Sequence, residues 1–338
     1  MPPATSRPTL LDVAHAAGVS RATASRVLAG QTTVDPELAR RVLSAAGRLD
    51  YRTNTAARAL RSGASGSVAV VIPTSELDGL SGPFVGAPLR GATTTLVAHS
   101  LQPVLLLDDG RDPSPLLRYL TSGHVEGAVV ILQRESEELF RRLRSLPVPV
   151  VYVGRPSADL ADGDMFVDSD NYGGARLATR ALLEGGRRRI ATVAGPLPYF
   201  PAAERLRGFT DELEAWDVAP GPVARGDFTM ASGTAATAQL LRRSPGVDGI
   251  FSQSDLMAVG ALRVLAASGR HVPEDVSIVG FDDTVVAATS DPPLTSVRQP
   301  LQEMGSIAAG LVVGSLGGAA VEQPHVVVET TLTVRESV

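Results

Sequence analysis

Two arginines near the beginning of the chain are the residues best suited to reading a nucleic acid. Arg21 and Arg26 lie in a segment whose apolar residues have helical spacing, with Ala24 and Val27 on the inner face. An arginine can pair with both the O6 and the N7 of guanine, so it distinguishes one base pair from another. This pattern predicts a helix whose N-terminal half meets base edges in a DNA groove. A small helical bundle whose arginines merely face solvent would have the same pattern and stays an alternative.

The elements that would position these arginines follow from the residues around them. Thr9 and Asp12 have the spacing of a capping box at the start of a helix, and Gly18 has the conformational freedom that ends one. Ser20 is suited to cap the second helix, over 21–29. Two helices joined by a glycine turn at this spacing are typical of the helix-turn-helix motif, in which the hydroxyl side chains of the second helix and its cap suit phosphates. The residues expected to contact DNA are Thr9, Ser20, Arg21, Ala22, Thr23, Ser25 and Arg26.

A third helix completes this module. Asp35 followed by Pro36 is the usual order of a helix cap and a first-turn proline, and the helical pattern continues to about residue 50. The spacing predicts a buried face made of Leu38, Val42, Leu43, Ala46 and Leu49. Packed together, the three helices would hold the second helix in place.

The distribution of charge agrees with a nucleic-acid-binding N-terminus. The 338-residue chain has a net charge of −5, which by itself argues against a nucleic-acid partner. Residues 1–62 nevertheless hold nine arginines against four acidic residues and carry +5, whereas the remainder carries −10. A basic end on an acidic body is the asymmetry expected of a DNA-binding module joined to another domain.

The N-terminal module closely resembles the headpiece of the lactose and galactose repressor family. The segments that carry the resemblance are TLLDVAHAAGVSRATASRVLAG (9–30), YRTN (51–54) and AARAL (56–60). The resemblance implies a hinge helix over about 54–60 that orders on operator DNA, with Asn54, Ala57 and Leu60 as further DNA contacts. Leu60 matches the leucine that wedges into the minor groove at the centre of a palindrome. Thr53 departs from the family's usual proline, and Ala24 from its frequent valine or isoleucine, so a looser hinge entry and a thinner core are expected.

Beyond a short flexible stretch at 61–67, apolar strand-like runs alternate with helical patterns. The predicted strands are 67–72, 102–107, 127–132, 148–153, 189–194, 249–252 and 277–280. The predicted helices include 115–122, 135–145, 172–185, 203–215 and 232–243. This alternation is typical of parallel sheets covered by helices, so we predict an α/β fold class, with an all-α headpiece before a two-lobed body.

The body resembles the effector-binding domain of the same family, which has the architecture of a periplasmic sugar-binding protein. The matching segments come in family order: VDSDNYGG (167–174), ERLRGF (204–209), GDF (226–228), SDLMAVGA (254–261), IVGFDD (278–283) and PLTSVRQ (293–299). The resemblance implies three chain crossings between two lobes. The expected divisions are a headpiece at 1–53, a hinge and linker at 54–66, and a body at 67–338, with lobe 1 at 67–168 and 298–325 and lobe 2 at 169–294 and 326–338.

The same resemblance implies a polar ligand site between the lobes. Arg205 matches the family arginine that donates paired hydrogen bonds to a ligand, and Asp282 matches the carboxylate that accepts from adjacent hydroxyls. Ser254 stands where many members have asparagine, and Gln299 lies at a strand crossing on the floor of the site. Two structural alternatives stay open, since Asp282 could cap the segment that follows it and Arg205 could pair with a neighbouring carboxylate, Glu204 or Asp211.

Aromatic walls are expected to complete this site. Phe228 matches a position whose ring can lie against the face of a sugar, and Phe84 is the expected opposing wall, although both could belong to the core. Gly154 aligns with a family ligand carboxylate, which indicates a ligand different from the lactose type. A small-molecule site needs a few directed polar groups among apolar walls. The polar and aromatic residues expected here suit a sugar or related polyol.

The sequence gives little support to other functions. The absence of lysine excludes a phosphate-binding loop that ends in lysine, and no nucleophile or zinc-protease motif occurs, so we expect no enzyme, cofactor or metal. The absence of cysteine excludes disulfides and thiolate sites. A solute-binding transport component would fit the body but not the headpiece or the lack of an export signal. We therefore expect a cytoplasmic homodimer that binds a pseudo-palindromic operator under control of an effector, with inducer and corepressor action both open.

Overall fold

The computed structural model describes residues 8–28, 34–51, 65–73, 83–108, 111–131, 137–156, 160–161, 163–197, 199–318 and 321–338. The chain divides into two compact units, Met1–Ser65 and Gly66–Val338. These correspond to the headpiece and the body, and each is described by itself. Within the described residues, no helix is both long and apolar enough to cross a membrane.

The described part of the headpiece consists of helices α1 (Leu10–Ala17), α2 (Arg21–Leu28) and α3 (Pro36–Arg48). The predicted capping box is present at the start of α1, and Gly18 ends that helix with φ of +63°. Asp35 caps α3 by accepting from two backbone N–H groups. The core that holds the helices together is made of Val13, Ala14, Ala17, Ala24, Val27, Val42, Ala45 and Ala46.

One predicted core residue of the headpiece is wrong. Leu43 is 58% exposed, whereas Ala45, which was not predicted, is fully buried. Positions 43 and 45 are on different sides of α3, and the buried side is the one that contains Val42, Ala45 and Ala46. Leu43 lies at the border of the apolar stripe of α3. The sequence of the helix alone does not show whether the other helices cover that border.

The described residues of the body form two six-stranded sheets. Its strands are β1 (Ser67–Pro73), β2 (Gln102–Asp108), β3 (Ala128–Ile131), β4 (Val150–Val153), β5 (Met165–Ser169), β6 (Ile190–Ala194), β7 (Val223–Arg225), β8 (Gly249–Ser252), β9 (Ser277–Asp282), β10 (Thr295–Arg298), β11 (His325–Val328) and β12 (Thr331–Thr333). The first sheet has the order β11-β5-β4-β3-β1-β2 and the second β12-β10-β9-β8-β6-β7. Neighbouring strands run parallel, except that β12 is antiparallel to β10.

Helices cover both sheets, as the alternating pattern predicts. They are α4 (Pro83–Ala98), α5 (Ser114–Thr121), α6 (Glu137–Arg144), α7 (Asn171–Glu184), α8 (Phe200–Ala215), α9 (Met230–Arg243), α10 (Asp255–Ala267), α11 (Val285–Ala288) and α12 (Leu301–Leu316). Central strands such as β3, β4 and β8 are buried at every position, which is why their sequences are continuous apolar runs and not alternating ones.

Strand pairing places two chain crossings differently from the sequence-based boundaries. We expected the second lobe to end at residue 294, but Thr295–Arg298 pairs with β9 in the second sheet. We expected the first lobe to end at residue 325, but His325–Val328 pairs with β5 in the first sheet. Both strands lie beside a crossing, and the hydrogen bonds of a sheet, not local sequence, decide to which lobe such a strand belongs.

Two helices of the first lobe cross at close distance because each has a glycine at the contact. A Cβ atom on Gly305 of α12 would overlap the carbonyl oxygen of Pro88, and one on Gly91 of α4 would overlap that of Gln302. By contrast, Gly310 of α12 faces open space. The first two glycines therefore set how closely α4 and α12 pack, and Pro88 also lines the cleft described below.

Candidate functional sites

Helix α2 carries five of the ten residues predicted to contact DNA. Arg21, Ala22 and Arg26 are exposed, while Thr23 and Ser25 are half-buried. Ser20 caps the helix by accepting from the N–H of Thr23 at 3.1 Å, which orients the N-terminal turn. Ala24 and Val27 are buried on the opposite side. The two arginines are thus held by a packed helix with their side chains in solvent.

The remaining predicted DNA contacts divide into two groups. Thr9 is exposed, and its N–H donates to Asp12 at 2.7 Å, so the hydrogen bonds recorded for it belong to the capping box of α1. The predicted hinge residues Asn54, Ala57 and Leu60 lie outside the described residues, as does Thr53. The role of the hinge therefore stays a prediction.

A cleft lies in the body where the carboxyl ends of strands from both sheets meet. It contains about 770 Å³ of space not filled by protein, its open mouth included. All six residues predicted for the effector line it, namely Phe84, Arg205, Phe228, Ser254, Asp282 and Gln299. The other lining residues are Pro88, Ile131, Val153, Gly154, Asp168, Asn171, Tyr199, Pro201, Leu256, Leu301 and Met304.

Arg205 is the buried cation of the cleft. Its Nε donates to Asn171 Oδ1 at 2.8 Å and its Nη1 donates to the carbonyl oxygen of Gln253 at 2.6 Å. The guanidinium also lies 3.7 Å from the centre of the Phe281 ring. Burial lowers the pKa of Arg205, and the negative charge of Asp282, 3.7 Å away, opposes this effect. These contacts hold the arginine rigidly, so it can present Nη2 to a ligand in one orientation.

The alternative partners considered for Arg205 are occupied elsewhere. Glu204 accepts from Arg207 at 2.6 Å, and Asp211 accepts from the hydroxyl of Tyr172 at 3.0 Å. The side chains of positions 204 and 205 point in different directions along α8, because consecutive residues of a helix do not face each other. The interpretation of Arg205 as a simple surface pair with either carboxylate is therefore wrong.

Asp282 ends β9 and reaches into the cleft. Its Oδ1 accepts from Gln299 Nε2 at 2.7 Å, and Gln299 Oε1 in turn accepts from the hydroxyl of Ser169 at 2.6 Å. This chain of hydrogen bonds joins the second sheet to the end of β5 in the first. Burial raises the pKa of Asp282 well above its ordinary value, and the positive charge of Arg205 opposes that rise.

Asp283, the next residue, points away from the cleft and ties together three segments. Its carboxylate accepts from Arg298 at 2.6 Å, from Arg335 at 2.5 Å and from the hydroxyl of Thr333 at 2.9 Å. Both Asp282 and Asp283 have positive φ, 112° and 52°, which non-glycine residues adopt only when their surroundings hold them there. The ion pairs of Asp283 thus hold the backbone that presents Asp282.

Aromatic side chains form one wall of the cleft. The ring of Phe228 packs directly over Gly195, where a Cβ atom would overlap it, and the ring of Tyr199 meets it edge-on at 6.1 Å. Phe84 lines the cleft from helix α4 of the other lobe. Phe228 and Phe84 are each half-buried, and each packs against a hydrophobic core as well as lining the cleft.

Ser254 has a structural contact as well as a place in the cleft. Its Oγ accepts from the N–H of Met257 at 3.3 Å and caps α10. An accepting hydroxyl still has its own hydrogen to donate. The serine can therefore end a helix and donate one hydrogen bond to a ligand, which is less than an asparagine would offer.

Sequence reasoning missed Asp168, Asn171 and Tyr199 as cleft residues. Asp168 is 5% exposed and accepts from the N–H of Ser169 at 2.9 Å. Burial raises the pKa of Asp168 to about 6, against the opposing effects of that hydrogen bond and of the positive charges of Arg205 and Arg155. A strand prediction over 165–169 would have placed both Asp168 and Asn171 at a strand end, but polar residues interrupt that apolar run.

With this geometry in view, comparison with known proteins assigns the family. Residues 9–54 match the model of the bacterial regulatory proteins, lacI family, and residues 179–338 match that of the periplasmic binding protein-like domain. The chain is 42% identical over 334 residues to the HTH-type transcriptional regulator CelR of Thermobifida fusca, which covers 98% of each protein. The chain belongs to the lacI family. The prediction of this family from sequence is confirmed.

Solved structures agree with this membership. The structure of a CelR–cellobiose complex matches with a TM-score of 0.76 at 41% identity, over 98% of this chain and all of that one. A Lac repressor dimer bound to operator matches with a TM-score of 0.83 at 24% identity, over 98% of each chain, and supports the fold. The predicted fold class is confirmed. As a member of the lacI family, the protein is a DNA-binding transcriptional regulator and not an enzyme.

Proposed function

We propose that this lacI-family protein is a repressor whose affinity for its operator is controlled by a saccharide bound in the cleft. The observation that carries the proposal is the pairing of Arg205 and Asp282, 3.7 Å apart and both buried, beside the aromatic wall of Phe228 and Tyr199. A carboxylate and a guanidinium suit adjacent hydroxyls, and an aromatic ring suits the apolar face of a pyranose.

The polar end of the cleft supports recognition of one sugar ring. Asp282 has one oxygen engaged by Gln299, and its carboxylate also receives a hydrogen bond from the backbone of Asp255. Arg205 has two of its three nitrogens engaged within the protein. The carboxylate of Asp282 and Nη2 of the guanidinium are suited to accept from one hydroxyl and donate to the next.

The apolar part of the cleft supports a second ring. Phe84, Leu301 and Met304 come from the first lobe, and Leu256 comes from the second. Since the solved CelR structure holds cellobiose and CelR is 41% identical to this chain, we propose a β-linked glucose disaccharide as the first effector to test.

The headpiece is proposed to bind a pseudo-palindromic operator as part of a homodimer in the cytoplasm. Arg21 and Arg26 would read bases in the major groove, and Leu60 would wedge into the minor groove at the centre of the site. Phosphate contacts would supply most of the affinity and make binding depend strongly on salt. Effector binding would change the closure of the lobes and thereby the order of the hinge.

The strength of such a switch has a thermodynamic requirement. An effector must bind one state about 10⁴-fold more tightly than the other to move the protein almost completely between them. The sign of the response follows from which state the effector prefers. An effector that favours the DNA-free state is an inducer, and one that favours the DNA-bound state is a corepressor.

Calorimetry with cellobiose tests the effector site. We expect the wild type to bind and Arg205→Ala to lose binding by at least about a hundredfold, because the variant leaves Asp282 buried without its cation. Arg207→Ala is the matched control, since Arg207 lies on the same helix with its side chain 56% exposed. Equal binding by wild type and Arg205→Ala would refute the proposed site.

Selection of bound oligonucleotides tests the DNA site. We expect a palindromic sequence, weakened binding by Arg21→Ala and by Leu60→Ala, and unchanged cellobiose binding in both variants. Arg40→Ala is the matched control, because Arg40 is an exposed arginine of α3 that pairs with Glu37. An asymmetric or random pool would argue against the dimeric model, and full affinity in Leu60→Ala would refute the hinge.

A further inference from the structure

The charged residues that line the cleft are unequal in sign. Among the described lining residues, Asp168 and Asp282 are acidic and Arg205 is basic. All three are nearly buried, with 5% of Asp168, 5% of Arg205 and 6% of Asp282 exposed. A ligand that enters this site therefore meets two carboxylates and one guanidinium in surroundings of low polarity.

Arg205 already makes hydrogen bonds within the protein, and a neighbouring carboxylate balances its positive charge. Its Nε and Nη1 bind Asn171 and the carbonyl oxygen of Gln253, and its neighbouring carboxylate is Asp282. A guanidinium that is balanced by a carboxylate 3.7 Å away attracts a further anion weakly. One arginine in this state does not form the cationic pocket that a phosphate needs.

Asp168 is the lining carboxyl group for which the described residues show no ion pair, whereas Asp282 is paired with Arg205. It accepts from the N–H of Ser169 at 2.9 Å and from the amide of Asn171 at 3.3 Å, which are both neutral donors. Arg155 is a positive neighbour, but its guanidinium lies over the ring of Phe200, 4.1 Å from the centre, and does not line the cleft. Asp168 thus presents an acceptor, and repels negative charge, at the end of β5.

We propose that the cleft selects neutral saccharides over phosphorylated or carboxylated ones, and that Asp168 is the specificity-determining residue. The inference rests on the proposed function, because it concerns the same saccharide site. A hydroxyl can donate to Asp168 and to Asp282, so a neutral sugar satisfies both carboxylates. A phosphate or carboxylate has no hydrogen to donate at neutral pH and brings a like charge to a site where water screens it poorly.

Paired saccharides test the selectivity of the wild type by calorimetry. The probes are cellobiose, cellobiose 6′-phosphate and cellobionate, so that the added negative charge stands at one end of the disaccharide and then at the other. We expect cellobiose to bind at least tenfold more tightly than either anion. An anion that binds as tightly as cellobiose overturns the inference and leaves the proposed saccharide site unaffected, whereas failure of cellobiose and of both anions to bind refutes the proposed site itself.

Substitution of Asp168 tests the residue. Asp168→Asn keeps the shape and removes the charge, so we expect the preference for cellobiose over the two anions to fall by about tenfold. Glu204→Gln is the matched control, because it removes one negative charge from the residue beside Arg205 while its own partner is Arg207, and its preference should equal that of the wild type. A preference that Asp168→Asn and Asp168→Ser both leave unchanged, in protein with wild-type circular dichroism, refutes the role of Asp168.

Discussion

Replacement of Asp283 by asparagine should destabilise the body through the loss of one charge. Asp283 is nearly buried, with 2% of its side chain exposed, and pairs with Arg335 and Arg298. Position 283 has φ of 52°, a conformation that asparagine tolerates as well as aspartate does. The substitution therefore removes the charge without adding backbone strain.

The magnitude follows from the exposure of the two arginines. Arg335 is 18% exposed, so its pair with Asp283 is shielded, and breaking a buried pair costs about 3–5 kcal/mol. Arg298 is 59% exposed, and such a pair contributes about 0–1 kcal/mol. Because asparagine can still accept a hydrogen bond, we expect Asp283→Asn to lower the free energy of unfolding by about 2–4 kcal/mol.

Urea unfolding monitored by circular dichroism measures this change, with Arg298→Ala as the control. The control should cost less than about 1 kcal/mol, since its charge is largely solvated. Cellobiose affinity should also fall in Asp283→Asn, because the same ion pairs hold the backbone of Asp282. A cost in Asp283→Asn no larger than that in Arg298→Ala would refute the argument that the buried pair with Arg335 dominates.

The pH dependence gives a second measurement of the same pair. Burial alone would raise the pKa of Asp283, but hydrogen bonds from Arg335, Arg298 and Thr333 outweigh it and lower the pKa below 3.8. A carboxyl whose pKa is lowered by folding stabilises the fold above its ordinary pKa and loses that contribution as the pH falls through the folded value. The difference between wild type and Asp283→Asn should therefore be full at neutral pH and shrink below about pH 4.

Two further predictions concern packing. Gly305→Ala should cost about 1–3 kcal/mol, because its methyl group meets the backbone of α4, whereas Gly310→Ala on the same helix should gain up to about 1 kcal/mol through better helix propensity. Thermal unfolding of the two variants should show shifts of opposite sign. In the headpiece, Val42→Ala should cost about 1–3 kcal/mol and Leu43→Ala less than about 0.5, since the first is fully buried and the second is 58% exposed. Operator affinity measured against temperature distinguishes the two variants. Equal losses of stability in Val42→Ala and Leu43→Ala would refute the assignment of the buried side of α3.

Much of the body could be predicted from local patterns. The apolar runs at 249–252 and 190–194 are strands, and the amphipathic segment at 232–243 lies within α9. The pattern missed α4, α10 and α12, because each packs apolar residues around most of its circumference and has no clear polar face. It also missed the short strands β7 and β12, which have three residues each and too few positions for any period.

Local sequence patterns are enough to specify the helices of the headpiece and to indicate the family. The capping box of Thr9 and Asp12, the turn at Gly18 and the cap at Ser20 act within a few residues, so a local pattern is enough to specify them. The arginines of α2 are exposed because their neighbours on that one helix, Ala24 and Val27, take the buried side. Such short-range interactions can be predicted from the amino-acid sequence.

The partners and the burial of the cleft residues are set by contacts that form only in the folded protein. Arg205 meets Asn171, 34 positions earlier, and Asp282, far later in the chain, because the carboxyl ends of parallel strands converge at one edge of a sheet. The partners of Glu204 and Asp211, the exposure of Leu43 and the place of Asp168 likewise depend on contacts between distant segments. Burial and charge balance depend on such contacts, and the spacing of residues within one segment does not predict them.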